Sequence, residues 1–387
     1  MIDNNLLFFG HKITSKDNLN LYPSSSLVYN EKIITDKKIT TCKILWEQII
    51  EEKLSKNEGR IVIPLSGGLD SRLILAGLLT HISPKEIITY TFGPEKSFDF
   101  IIGNLIAKKI GTIHYAHAIK FSEYTHENEI KWANILKKQI SLFYRPPMKI
   151  VDEFKNDNLW IGFMGDPLAG SHFNPKINKL DDAINLFLSK YGLLTRKKAC
   201  QYGVDVDVII NSLKDSTDFS QKINFFENID FSIRQSQYIL PHIAYSNKST
   251  LPFIDKRWVN TMLTLPASSR INEKFYRDFM LSSYTKLFSY PCKNNHGYSI
   301  ESKWSVLQKL KNKFYKNKSL YLNYIDFNQM LRGDNSFSRF IKKLIFQQHD
   351  IDPNIVWQDF LNNEIKYEFV LNLASIQINN DLIINNE

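Results

Sequence analysis

The chain has 387 residues, 43% hydrophobic and 23% charged, with a formal net charge of +9. That is a globular composition with room for one large domain or two, and it contains no run of eighteen apolar residues that would predict a membrane span. The positive charge suits a polyanionic substrate, a nucleotide or an acidic surface, and equally a general Lys/Asn/Ile bias.

The N-terminal MIDNNLLFFGHK lacks the basic and apolar regions of a secretion signal, so a cytoplasmic location is expected. Cys42, Cys200 and Cys292 lie far apart without metal-ligand spacing, which fits a reducing compartment and no disulfide framework. Residues 61–71 read IVIPLSGGLDS. Ile61, Val62, Ile63 and Leu65 make a short run of buried-strand character, Ser66-Gly67-Gly68 breaks it, and a helical stretch follows over 69–79. Strand, glycine turn and helix start form an anion site, because unpaired N–H groups and the helix dipole both favour negative charge. Gly67 and Gly68 let backbone approach a phosphate, and Ser66 and Ser71 supply hydroxyls. Asp70 would repel a bare phosphate, and makes sense with Mg²⁺ between the two. No Gly-Lys pair is present, so the loop is not of the G-x-x-x-x-G-K-[ST] type.

Strand and helix then alternate. The patterns predict strands at 87–93, 114–121 and 159–165, with helices at 98–111, 122–140 and 148–156. This order predicts an α/β fold, a parallel sheet with helices on both faces and ligands at the carboxyl ends of the strands. Ser66, Gly93 and Asp166 are expected on one rim. After residue 176 the texture turns helical, predicting a helical extension. Residues 303–318 carry six lysines interleaved with Trp304, Leu307, Leu310 and Phe314, a pattern that suits a solvated helix face more readily than an anion-binding one.

S-G-G-x-D-S resembles the pyrophosphate loop of the N-type ATP pyrophosphatases, whose fold is adenine nucleotide alpha hydrolase-like. Further segments over roughly 45–300 resemble, in order, the synthetase domain of asparagine synthetase: TFGPEKSFDF with Gly93, Ser97 and Asp99; Gly111, Thr112 and His114; Arg145-Pro146-Pro147; GFMGDPLAG at 162–170; Pro252-Phe253-Ile254-Asp255; and Pro291 with Lys293. The resemblance implies ATP and Mg²⁺ as cofactors. It implies nucleotide contacts from Leu65, Ser66, Gly67, Gly68, Asp70, Ser71, Phe92, Gly93 and Gly162, metal ligation by Asp70 and Asp166, and a catalytic set of Asp70, Asp166 and Lys293. His114 reads as structural, while Asp99 and Asp255 are each open between helix capping and a ligand role.

The implied organisation is a short segment at 1–45, where Leu21-Tyr22-Pro23-Ser24-Ser25 resembles the end of a lost glutaminase domain, an asparagine synthetase-like domain at 46–300, and a helical extension at 301–387. Residue 2 is Ile, where that family's glutaminase domain carries its nucleophilic cysteine. Glutamine hydrolysis by this chain is therefore not expected, and nitrogen is expected from ammonia, an amine or a separate glutaminase partner. Phe163 stands where the family pattern G-E-G-x-D-E has its first Glu, so its side chain is expected to border an acceptor pocket that disfavours aspartate. The expected activity is that of an ATP-dependent amide-forming ligase acting on a small-molecule carboxylate, with a uronic acid of a surface glycan as the preferred acid. A tRNA-modifying pyrophosphatase and a non-catalytic nucleotide-binding relative remain open, although the absence of paired cysteines speaks against nucleic acid as a partner.

Overall fold

The computed structural model describes residues 2–14, 36–219, 223–302 and 318–384. The LYPSS stretch at 21–25 and residues 303–317 of the lysine-rich stretch lie outside these. Five parallel strands form one sheet: β1 Ile61–Pro64, β2 Ile87–Gly93, β3 Ile113–Ala118, β4 Asn158–Trp160 and β5 Lys248–Thr250, in the order β3-β2-β1-β4-β5. Register is fixed by Ile61 opposite Ile87 and opposite Asn158, and by Ile88 opposite Ile113. Ile61, Val62 and Ile63 are buried on the central strand, as a parallel sheet covered on both faces requires.

The two faces can be read from adjacent residues of β2, whose side chains point opposite ways. Tyr90 stacks on Phe154 of helix Met148–Phe154 at 5.3 Å between ring centroids. Thr91 faces helix Phe98–Ile110, where a Cβ added at Gly103 would fall on Thr91 and come within 2.9 Å of the Leu65 carbonyl. That helix starts on Ser97, whose hydroxyl accepts the Phe100 N–H at 3.2 Å, and ends on left-handed Gly111, the N-cap and C-cap chemistry expected of those residues.

Two expectations need correction. The strand expected at 159–165 ends at Trp160; Ile161 to Met164 lead by a turn into the short helix Gly165–Ala169, which carries Asp166. The strand β5 lies within the stretch expected to be helical, because Lys248-Ser249-Thr250 has no apolar run and joins the sheet through backbone pairing with β4. Beyond β5 the regular elements among the described residues are helices, and helix Tyr367–Ile384 packs on distant parts of the chain: Asn372 Nδ2 donates to the Leu6 carbonyl at 2.8 Å, and Ser375 Oγ accepts the Leu142 N–H at 3.0 Å. No helix among the described residues is long and apolar enough to cross a membrane.

Candidate active site

The glycine turn follows β1 directly. Leu65 donates its N–H to the Tyr90 carbonyl at 2.8 Å, extending the sheet by one bond. The chain then leaves the sheet, and local side chains hold the loop: Ser66 Oγ accepts the Gly68 N–H at 3.1 Å, and Ser71 Oγ accepts the Ser66 N–H at 3.3 Å. Gly67 lies against helix Phe98–Ile110, and a Cβ there would come within 2.9 Å of the Phe98 carbonyl oxygen. Its N–H donates to Asp99 Oδ1 at 3.0 Å and its carbonyl accepts the Lys293 N–H at 2.8 Å. Lys293 Nζ in turn donates to Asp99 Oδ2 at 2.6 Å and to Asn323 Oδ1 at 2.7 Å. Asp99 therefore neither caps its helix, a role taken by Ser97, nor stands free. It bridges the loop to Lys293, two residues 226 positions apart in the sequence.

Asp70 opens helix Asp70–Leu78. Its Oδ2 accepts the Asp166 N–H at 3.2 Å and its Oδ1 accepts the Tyr276 hydroxyl at 2.8 Å. The short helix Gly165–Ala169 can come this close because residue 165 is glycine; a Cβ there would overlap the Asp70 carboxylate. Met164, where the family pattern has its second glycine, adopts the left-handed backbone a glycine would (φ 69°). Burial pushes the carboxyl of Asp70 well above the usual carboxylate range, and Asp166 beside it pushes the same way. Burial raises Asp166 too. Glu273 extends the acidic group; burial, then Asp166, push it up to about 7. Nearby, His172 Nδ1 lies 2.7 Å from Asp230 Oδ2, and Asp230 raises its pKa against the opposing effect of burial.

A cavity of about 710 Å³ opens over the carboxyl ends of the strands. Of the residues the sequence proposes as nucleotide contacts, Leu65, Ser66, Gly68, Asp70, Ser71, Phe92 and Gly162 line it. Gly67 and Lys293 reach it through Asp99 and Asn323, which line it, and Asp166 reaches it through Asp70. Gly93 lies just past Phe92, with a would-be Cβ 3.3 Å from the Asn323 carbonyl.

Phe163 does not behave as expected. It is buried (3% exposed) and absent from the cavity wall, so it fills core and gives no basis for excluding aspartate. Asp255 is settled as a helix cap, accepting the Arg257 N–H at 3.0 Å. Arg145 is a buried partner of Glu129 at 2.6 Å, and His114 is held between Thr89 and Asn104.

The remaining wall was not anticipated from the sequence. It is built from Tyr191, Arg234, Tyr238 and Tyr324, with Lys190, Lys366 and Glu368. Arg234 and Tyr238 lie in Asp230–Ile239, a stretch of π-helix. The signal available was its polarity. Asp230, Ser232, Gln235, Ser236 and Gln237 are buried in a segment whose apolar residues alone read as an ordinary core helix.

Residues 47–133 match the family model for asparagine synthase. This stretch carries β1, the glycine loop, Asp70, β2, Asp99 and β3, and over those residues the chain is similar to an asparagine synthetase synthetase domain; β4 and β5 lie beyond it. The family joins nitrogen to carboxylates using ATP, which makes ATP-dependent amide formation the general activity the match implies. Asp166, Arg234, Tyr276 and Lys293 all lie beyond the matched stretch. No curated protein matches the chain.

Proposed function

We propose that this chain is an AMP-forming ligase that adenylates a small-molecule carboxylate at the Ser66–Ser71 loop and passes the acyl group to ammonia or an amine. The observation that carries this reading is the convergence of Asp99, Lys293 and the loop on one cavity beside the paired carboxylates of Asp70 and Asp166. In this reading the loop N–H groups and the hydroxyls of Ser66 and Ser71 hold the β- and γ-phosphates, and Phe92 and Gly162 border the rest of the nucleotide. The substrate carboxylate oxygen attacks the α-phosphorus, the bond to the β-phosphate oxygen breaks, and pyrophosphate leaves with that electron pair. The nitrogen nucleophile then attacks the acyl carbon, AMP departs with the carboxylate-derived oxygen, and the nitrogen loses its proton. Lys293, held by Asp99 and Asn323, is the residue whose ammonium would stabilise the negative charge developing on the leaving pyrophosphate.

Mg²⁺ suits the two carboxylates chemically. They are hard oxygen donors crowded together, and among the described residues no set of three His, Cys, Asp or Glu side chains is gathered into a metal cage. An ion that keeps water and takes phosphate oxygens needs only one or two protein carboxylates. Asp70 and Asp166 would hold it, and it would supply neutralisation of phosphate charge. A uronic acid is the preferred acceptor, with ammonia coming from solution or a separate glutaminase. The test is a screen of carboxylic acids for pyrophosphate release with MgATP. Release that needs an acid and disappears in Asp70→Asn supports the reading; release by no acid, or release untouched by that substitution, overturns it.

A further inference from the structure

The cavity wall away from the loop carries the cations Arg234 and Lys190, the second of them within the field of the Asp230 and Asp166 carboxylates. Arg234 has its guanidinium carbon 4.2 Å from the ring centre of Tyr191 and 5.4 Å from that of Tyr238. Lys190 Nζ lies 5.0 Å from the same Tyr191 ring and 5.1 Å from that of Phe226. Within the described residues neither side chain forms an ion pair or hydrogen bond, whereas Arg145, Arg270 and Lys198 all have carboxylates at 2.6 Å. The third cation of the wall, Lys366, is committed to the Gly192 carbonyl at 2.8 Å. The aromatic rings fix the plane of the guanidinium and leave its five N–H donors unspent, a preorganised fork for an oxyanion. The backbone beneath adds a second sign. Asp230–Ile239 is π-helical, a winding that is rare and is found mostly at functional sites, and here it puts Arg234, Tyr238 and Ile239 on one wall of the cavity.

We propose that Arg234, held between Tyr191 and Tyr238 and flanked by Lys190, binds a second anionic group of the acid whose carboxylate is activated at the loop. The substrate is then a dianionic acid, carrying either a phosphate or a second carboxylate besides the one that reacts. This inference rests on the ligase reading only in calling the bound acid a substrate; the anion site itself is a binding claim.

Calorimetry with glucuronic acid, glucuronic acid 1-phosphate and glucaric acid separates the two claims, using the full chain saturated with a non-hydrolysable ATP analogue and Mg²⁺. At least one dianion should bind wild type about tenfold more tightly than glucuronic acid, the ratio expected of one charge-assisted hydrogen bond. Arg234→Ala should abolish that preference, and Arg234→Lys, which keeps the charge on a smaller head, should retain part of it. A better fit for the 1-phosphate assigns the second group as phosphate, and a better fit for glucaric acid as carboxylate. Equal binding of all three acids, no binding of either dianion, or a preference that survives Arg234→Ala in protein with an unchanged melting temperature would overturn the site. Dianion binding without pyrophosphate release in any acid screen would overturn the ligase reading and leave the anion site standing.

Discussion

The two ends of the cavity are built by opposite means. The loop end is contiguous: Leu65 to Ser71 supply turn, hydroxyls and a carboxylate from one stretch of chain. Asp70 is its acidic side chain on the wall, with Asp166 and Glu273 behind it, and all three carboxyls are held above their ordinary range, by burial first. The far end is assembled from residues distant in sequence, Lys190 and Tyr191, Arg234 and Tyr238, Tyr324 and Lys366, and apart from Glu368 its charge is positive. An end whose chemistry depends on backbone geometry needs a fixed local sequence. An end that recognises by side chains can draw them from anywhere the fold brings near. On the proposed reading, the first end handles phosphate and the second chooses the acid.

The largest expected effect falls on the acidic end. Asp70→Asn should lower ATP–pyrophosphate exchange by about a thousandfold or more, since an ion-binding carboxylate contributes several kcal/mol to a charged transition state. Its melting temperature should change little, because removing a charge that burial disfavours offsets the loss of one of the two hydrogen bonds the carboxylate accepts, from Tyr276 and the Asp166 N–H. A large loss of melting temperature would make Asp70 structural and erase the contrast between the ends.

Glu273 gives the next effect, in stability. Its folded pKa of about 7 lies above its ordinary value of 4.5. The folded protein therefore binds more protons than the unfolded chain between those values. The stabilisation from the protonated carboxyl is complete below 4.5 and is lost as pH rises through 7. In urea unfolding without Mg²⁺, Glu273→Gln should flatten that slope and stabilise the protein at pH 8 by roughly 3 kcal/mol at most. An unchanged pH profile would place Glu273 in solvent.

Gly67→Ala sharpens the comparison from the backbone side. The added Cβ meets the Phe98 carbonyl, so the loop must shift. ATP affinity should fall about tenfold to a hundredfold, in line with the sensitivity of such sites to misplacement, with acid binding retained. The smallest effect is at the far end. Tyr191→Leu removes the ring 4.2 Å from Arg234 and should raise the KM for the acid about fivefold, the scale of one cation–π contact, while the KM for ATP stays put. Equal changes in both constants would mean the ends are not separable.

The same contrast explains what the sequence makes legible. The loop, β2, β3 and the helix between them can be read because each announces itself locally, by an apolar run, a glycine turn or a Ser97/Gly111 cap pair. Strand β5 cannot, because Lys248-Ser249-Thr250 has only backbone bonds to offer. Asp166 and Lys293 are recognisable by their order along the chain, yet their distance from the loop is bridged by Asp99 and by the Asp166 N–H, partners that no spacing reveals. Phe163 shows the opposite error, since alignment to a pattern locates a residue along the chain but not the direction in which its side chain turns. Arg234 sits in a helical stretch of ordinary appearance, and neither its π-helical winding nor its place on the cavity wall shows in the sequence.

Lys293 is fastened at three points, to Gly67 through its backbone and to Asp99 and Asn323 through its ammonium. Asn323 belongs to the far C-terminal part of the chain, well outside the stretch that resembles other proteins. Mutational drift in that tail is therefore not silent. If the loop holds the nucleotide as proposed, a change that loosens Asn323 would free the lysine and, through Asp99, the glycine turn, and so alter the grip on the nucleotide while every letter of the loop stays the same.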